Sequence, residues 1–199
     1  MNRNEMTLRK ASGRANKLYI LAIIIMAFST TIKAQTNINI GGGYHGHFLT
    51  HPGAVLEIES ERVFSEKASL PIRLDVGLYS HPRNHTGLFM DLNFGYRKYL
   101  KSGFFFEESV GIGVLQSFLN SDDVYEVDES GNMSESSRAM PIDLLPSITL
   151  GLGYNLSKDG TNRNLIWMRP KIAWQIPHKI SSLYHISLQI GFTHTINTK

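Results

Sequence analysis

From Asn37 to Ile196 the chain runs as eight stretches in which apolar side chains alternate with polar or small ones. A period of two puts successive residues on opposite faces of a β-strand, so each stretch predicts a strand with one apolar and one polar face. The first, 37–48, sets Ile38, Ile40, Tyr44 and Phe48 against Asn37, Asn39, His45 and His47. The second, 54–64, sets Ala54, Leu56 and Ile58 against Glu57, Glu59 and Glu61. The third, 72–80, sets Ile72, Leu74, Val76 and Leu78 against Arg73, Asp75 and Tyr79. The fourth, 88–99, sets Leu88, Met90, Leu92, Phe94 and Tyr96 against Asp91, Asn93 and Arg97. The fifth, 104–118, sets Phe104, Phe106, Val110, Ile112 and Val114 against Glu107, Ser109 and Ser117. The sixth, 142–156, opposes Leu144, Ile148, Leu150, Leu152 and Tyr154 to Asp143, Ser147, Thr149 and Asn155. The seventh, 166–176, opposes Ile166, Met168, Ile172, Trp174 and Ile176 to Arg169 and Lys171. The eighth, 184–196, opposes Ile186, Leu188, Ile190 and Phe192 to His185, Ser187, Gln189 and Thr193.

Length and charge choose the architecture. The stretches have 9 to 15 residues, whereas strands of soluble sheets have roughly 5 to 6 and a tilted strand crossing a bilayer needs about 9 to 11. Full charges stand in the middle of the polar faces. A sandwich would have to bury Glu57, Glu59, Asp75, Asp91, Arg97 and Glu107 between its sheets, but a barrel that is apolar outside and polar inside holds them if they pair. The predicted fold is all-β: an eight-stranded antiparallel up-and-down transmembrane β-barrel over residues 35–199. Residues 120–140 form the one long connection, on the side expected to face out of the cell.

Composition matters mainly at the start of the chain. Arg3, Arg9, Lys10, Arg14 and Lys17 precede the apolar run 18–28 and the small-residue stretch ending at Ala34. This layout predicts a signal peptide over 1–34, cleaved on export by the Sec pathway, with Met1 or Met6 as the start. Eleven apolar residues are too few for a spanning helix, which needs about 20. Without this segment the chain carries 14 basic and 16 acidic residues, a net charge of −2. The basic character thus belongs to the leader, and nucleic acid is excluded as a partner. The absence of cysteine excludes a disulfide framework, thiolate metal sites and a lipidated cysteine.

On this pattern of strands, charges and connections, residues 36–199 resemble the small eight-stranded outer-membrane barrels of the OmpA/OmpX-like superfamily. The resemblance implies residence in the outer membrane of a Gram-negative-type bacterium. It also implies contact with outer-membrane lipid and lipopolysaccharide, and insertion by the outer-membrane assembly machinery. Barrels of this kind usually end on an aromatic residue; here the last aromatic is Phe192.

The candidate chemistry lies on the polar face. Glu59, Glu61, Arg73, Asp75, Asp91, Arg97, Glu107, Asp143, Arg169 and Lys171 are expected to form an interior polar network, because eight strands leave room only for side chains. His45, His47 and His185 fall on the inward parity near the outer mouth. A turn at 49–53 would set His45 across from Glu57, and this group of four is the candidate site for a divalent metal. The same imidazoles also suit a neutral polar plug, and no cofactor is otherwise expected. The lipid A 3-O-deacylases use a His-x-Ser pair, matched here by His185 and Ser187, but both have inward parity and no acid follows to orient the histidine. The favoured reading is a non-enzymatic barrel with a plugged interior, structural or surface-binding through its extracellular loops. The alternatives are a metal-handling barrel, a deacylase-like enzyme and a small channel.

Overall fold

The computed structural model describes residues 35–47, 50–121, 125–127, 130–135, 137, 139–157, 163–176 and 183–196. The expected signal peptide, Phe48, Arg138, His178 and four acids of the long connection (Asp122, Asp123, Asp128 and Glu129) lie outside the described residues.

Eight long strands follow one another: β1 (Gln35–His47), β2 (His51–Ser65), β3 (Ala68–His81), β4 (His85–Tyr99), β5 (Phe104–Leu119), β6 (Ser147–Asn155), β7 (Asn164–Gln175) and β8 (Leu183–Ile196). Each pairs antiparallel with the next, and β8 returns to pair with β1 from Ile38↔Ile196 to His47↔Ser187. The sheet is therefore a closed barrel without a free edge. Among the described residues there is no helix. A ribbon of Tyr125–Val127 against Met133–Glu135 decorates the connection between β5 and β6.

The alternation sorts the side chains as the sequence predicts. Outside, Leu56, Ile58, Ile72, Leu92, Ile112 and Ile190 belong to a continuous exposed apolar belt. Such a surface is stable against hydrocarbon rather than water. Inside, Glu59, Glu61, Arg97 and Arg169 are completely buried.

The sixth strand departs from expectation. In place of one run over 142–156, a two-residue strand, Asp143–Leu144, precedes β6. Pro146 lies in the gap and has no N–H to give to the ladder. Register with β5 is the same on both sides, Leu115↔Asp143 and Gly111↔Ser147, so the strand is interrupted without slipping.

The turns opposite the N-terminal end, here called the upper end, are tighter than predicted. His47 pairs with His51, and His81 with His85. His51, His81 and His85 are thus strand residues rather than loop residues.

Candidate functional site

Three arginines organise the lower and middle interior. The guanidinium of Arg97 donates to Glu59 at 2.9 and 2.6 Å, to Glu107 Oε2 at 2.9 and 2.6 Å and to Glu61 at 3.2 Å. Arg73 donates from Nε to Asp75 at 2.9 Å and from Nη1 to Glu107 Oε1 at 2.5 Å. Arg169 donates to Glu57 Oε2 at 2.5 Å, and its Nε lies 3.4 Å from Glu107 Oε1. Lys171 pairs with Asp91 one level higher. Charge-assisted bonds of this kind are the strong ones, and they offset the desolvation that burial of each ion costs.

Neutral groups complete the network. Asn39 donates to Glu59 at 2.7 Å and accepts from Thr195 at 2.7 Å. Asn93 donates to Asp75 at 3.0 Å. Tyr99 and Ser69 donate to Glu61 at 2.7 and 2.6 Å. Glu61 also receives Arg163 at 3.0 Å. Arg163, in the connection before β7, reaches back into the lower mouth and supplies a fifth cation.

Aromatic side chains on the inward parity fill the rest, a feature the alternation did not reveal. Trp167, Phe105 and Phe89 are buried, and each lies over a glycine. A Cβ on Gly191 would stand 2.5 Å from the Trp167 ring, and one on Gly153 or Gly77 would overlap Phe105 or Phe89. The glycines therefore make room for the rings. Arg169 sits 4.0 Å above the Trp167 ring centre, and Arg97 lies 5.1 Å from that of Phe105. These cation–π contacts tie the aromatic and charged parts together. The available signal was an aromatic on the inward parity with a glycine across the sheet.

At the upper end the interior becomes histidine-rich. His185 shares a hydrogen bond with Gln175 at 2.8 Å, and Gln175 in turn donates to Asp143 at 2.5 Å. His185 Nδ1 lies 3.3 Å from His47 Nε2. His45 meets Gln189 at 3.3 Å, and Tyr79 meets His85 at 3.3 Å. A cavity of about 20 Å³ lies among His45, His47, Phe89, Leu115, Leu145 and His185, room for one water molecule.

The structure brings His47 and His185 together but removes Glu57 from the expected group. His45 pairs with Gly53, and Glu57 pairs with Gly41 instead. Because the turn is short, β2 is displaced by four residues against the predicted register. An even displacement keeps each residue on its face, so Glu57 still points inward, but lower down, to Arg169 and Thr193. As the side chains lie, no three His, Asp or Glu among the described residues converge on one point. His185 and Ser187 are both buried inside the barrel, away from the lipid side.

Glu108 is a further residue that sequence reading passed over. It points outward from β5 between Phe106 and Val110 and pairs with Tyr96 and Leu150. Beside it the ladder between β6 and β7 skips Pro170, pairing Met168↔Leu152 and then Lys171↔Thr149. Tyr96, Lys98, Phe106, Leu150, Leu152 and Pro170 line a shallow depression there.

No family model matches the chain, and no curated protein matches it. Among solved structures it is similar to Neisserial surface protein A (NspA), with a TM-score of 0.52 and 8% identity over 83% of this chain and 99% of that one. Ail, the attachment invasion locus protein of Yersinia pestis, in its complex with sucrose octasulfate, gives 0.49 at 10% identity over 82% and 99% of the two chains. The N-terminal β-barrel domain of Pseudomonas aeruginosa OprF gives 0.40 at 12% identity over 80% and 98%. At 8% identity the likeness to NspA is one of fold.

Proposed function

We propose that this chain, an outer-membrane β-barrel with the OmpA/OmpX-like fold, is a non-enzymatic membrane protein that acts through the connections at its upper end. The observation that carries this reading is the filled interior. The charges of the lower and middle barrel meet partners across the lumen, and the upper interior leaves room for about one water molecule. Such an interior neither conducts nor admits a substrate, so binding is left to what projects into water. The longest connection, 120–146, leaves the upper end. In this reading the upper end faces outward. The apolar belt meets outer-membrane lipid and lipopolysaccharide, the leader directs Sec export, and the assembly machinery inserts the barrel.

Trypsin treatment of intact cells, read by mass spectrometry, tests the proposal. Cleavage at Arg138 with protection of Lys101, at the opposite end, is the expected result. Cleavage at Lys101 with Arg138 protected would invert the topology, and recovery of the protein in the soluble fraction would defeat the membrane reading.

A further inference from the structure

Among the described residues, Arg62, Lys98 and Glu108 are the Lys, Arg, Asp or Glu side chains that the eight strands turn outward. Arg62 and Lys98 are the last outward residues of β2 and β4, at the lower rim, where a long side chain reaches water while its stem stays in lipid. Glu108 is different. It is the third outward residue of β5, after Phe104 and Phe106, and its stem is short. Ionisable groups inside a membrane are rare, and they pair with one another.

A base stands close by. Glu108 pairs in the ladder with Tyr96, and Lys98, two residues further along β4, pairs with Phe106. The acid and the base thus lie on a diagonal of the ladder, about 7–8 Å apart. Among the described residues neither takes part in an ion pair. Both line one depression of about 470 Å³, whose apolar walls include Phe106, Leu150, Leu152 and Pro170. Phe94 and Phe104 stand exposed on the same two strands.

We infer that this face joins two copies of the chain about a two-fold axis along the bilayer normal, with Glu108 of each copy against Lys98 of the other. An acid and a base side by side are self-complementary under a two-fold rotation, which brings each against its opposite. Lipid gives membrane subunits no hydrophobic drive to associate, so packing and polar contact must hold them together. The depression offers the partner's Lys98 an apolar seat for its stem and a carboxylate for its ammonium. In a lone barrel Glu108 meets only lipid and lowers stability; in the pair it meets a cation. The surrounding aromatics are of the kind enriched at protein interfaces.

Sedimentation equilibrium of the full barrel in neutral-detergent micelles tests the pairing. The unaltered protein should sediment as a dimer. Glu108→Lys and Lys98→Glu should each raise the dimer dissociation constant at least tenfold, because each sets like charges against one another across the axis. An equal mixture of the two variants should dimerise again, since every altered charge then meets its opposite on the other chain. A contact within one chain would give no such rescue. Arg62→Glu, at the rim of β2, should leave the dimer unchanged. Circular dichroism confirms that each variant keeps its barrel. A monomeric unaltered protein would overturn the inference. So would a dimer indifferent to both substitutions, or a mixture that stays monomeric.

Discussion

Arg97 and Glu59 meet as fork and carboxylate across the lumen, by two bonds of 2.9 and 2.6 Å, although β3 separates their strands. Glu107 shares the same guanidinium from β5. One side chain therefore holds carboxylates from two strands that do not touch.

Replacing Arg97 by methionine keeps much of the volume but leaves Glu59, Glu61 and Glu107 short of a buried cation. Breaking a buried ion pair from one side costs about 3–5 kcal/mol. The Arg97→Met barrel should unfold at correspondingly lower urea concentration in lipid vesicles. Glu59→Gln, which keeps the shape and a hydrogen-bonding oxygen, should cost less.

Gly191 and Trp167 face each other on paired strands. Gly191→Ala would press a methyl group against the indole and against the Gly42 carbonyl oxygen, each 2.5 Å from the new carbon. Overpacking of this kind costs about 1–3 kcal/mol, and Trp167→Ala about 3–5 kcal/mol by opening a cavity. The double variant should lose less than the sum, because removing the ring removes the collision with the indole, though not the one with the Gly42 carbonyl oxygen. Parallel unfolding titrations of the three variants measure the coupling.

Glu108 stands in the lipid-facing belt. Outward charges are destabilising there, acids less than bases and least near the interfaces. Glu108→Leu should stabilise the barrel by about 1 kcal/mol in vesicles. If the variant is less stable instead, the depression beside Pro170 holds a polar partner.

Planar-bilayer recordings should show no conductance steps for the unaltered barrel. Replacing both Arg97 and Arg169 by alanine removes two buried side chains that meet Glu107 and Glu59. Steps should appear in that variant only. Steps of equal size in both proteins would contradict a plug.

Parity made much of this interior legible. Glu57, Glu59 and Glu61 fall on one parity, opposite Leu56 and Ile58, and all three are buried. Register was less legible, because a displacement by four residues leaves every side chain on its own face. The misplacement of Glu57 beside His45 was therefore invisible to alternation. It followed from turn length, which the histidine- and glycine-rich stretch around residues 45–53 does not specify. Arg163 was hidden for another reason: a long side chain can enter the barrel from a connection. Phe89, Phe105 and Trp167 were missed because an apolar residue on the polar parity reads as an exception, until the glycine opposite it is considered.

The arginine network also bears on how the barrel enters a membrane. Glu59 and Arg97 come from β2 and β4, Glu107 from β5, and Arg169 from β7. The β1–β2 hairpin brings only acids to this network, Glu57, Glu59 and Glu61, and the β7–β8 hairpin only bases, Arg169 and Lys171, so neither carries a neutral share into hydrocarbon, where an unpaired ion is expensive. Strands inserted one hairpin at a time would strand carboxylates and guanidiniums in oil. Insertion must therefore be nearly concerted, with the sheet curling around its own wet charges and shedding their water only as the last seam, β1 with β8, comes together.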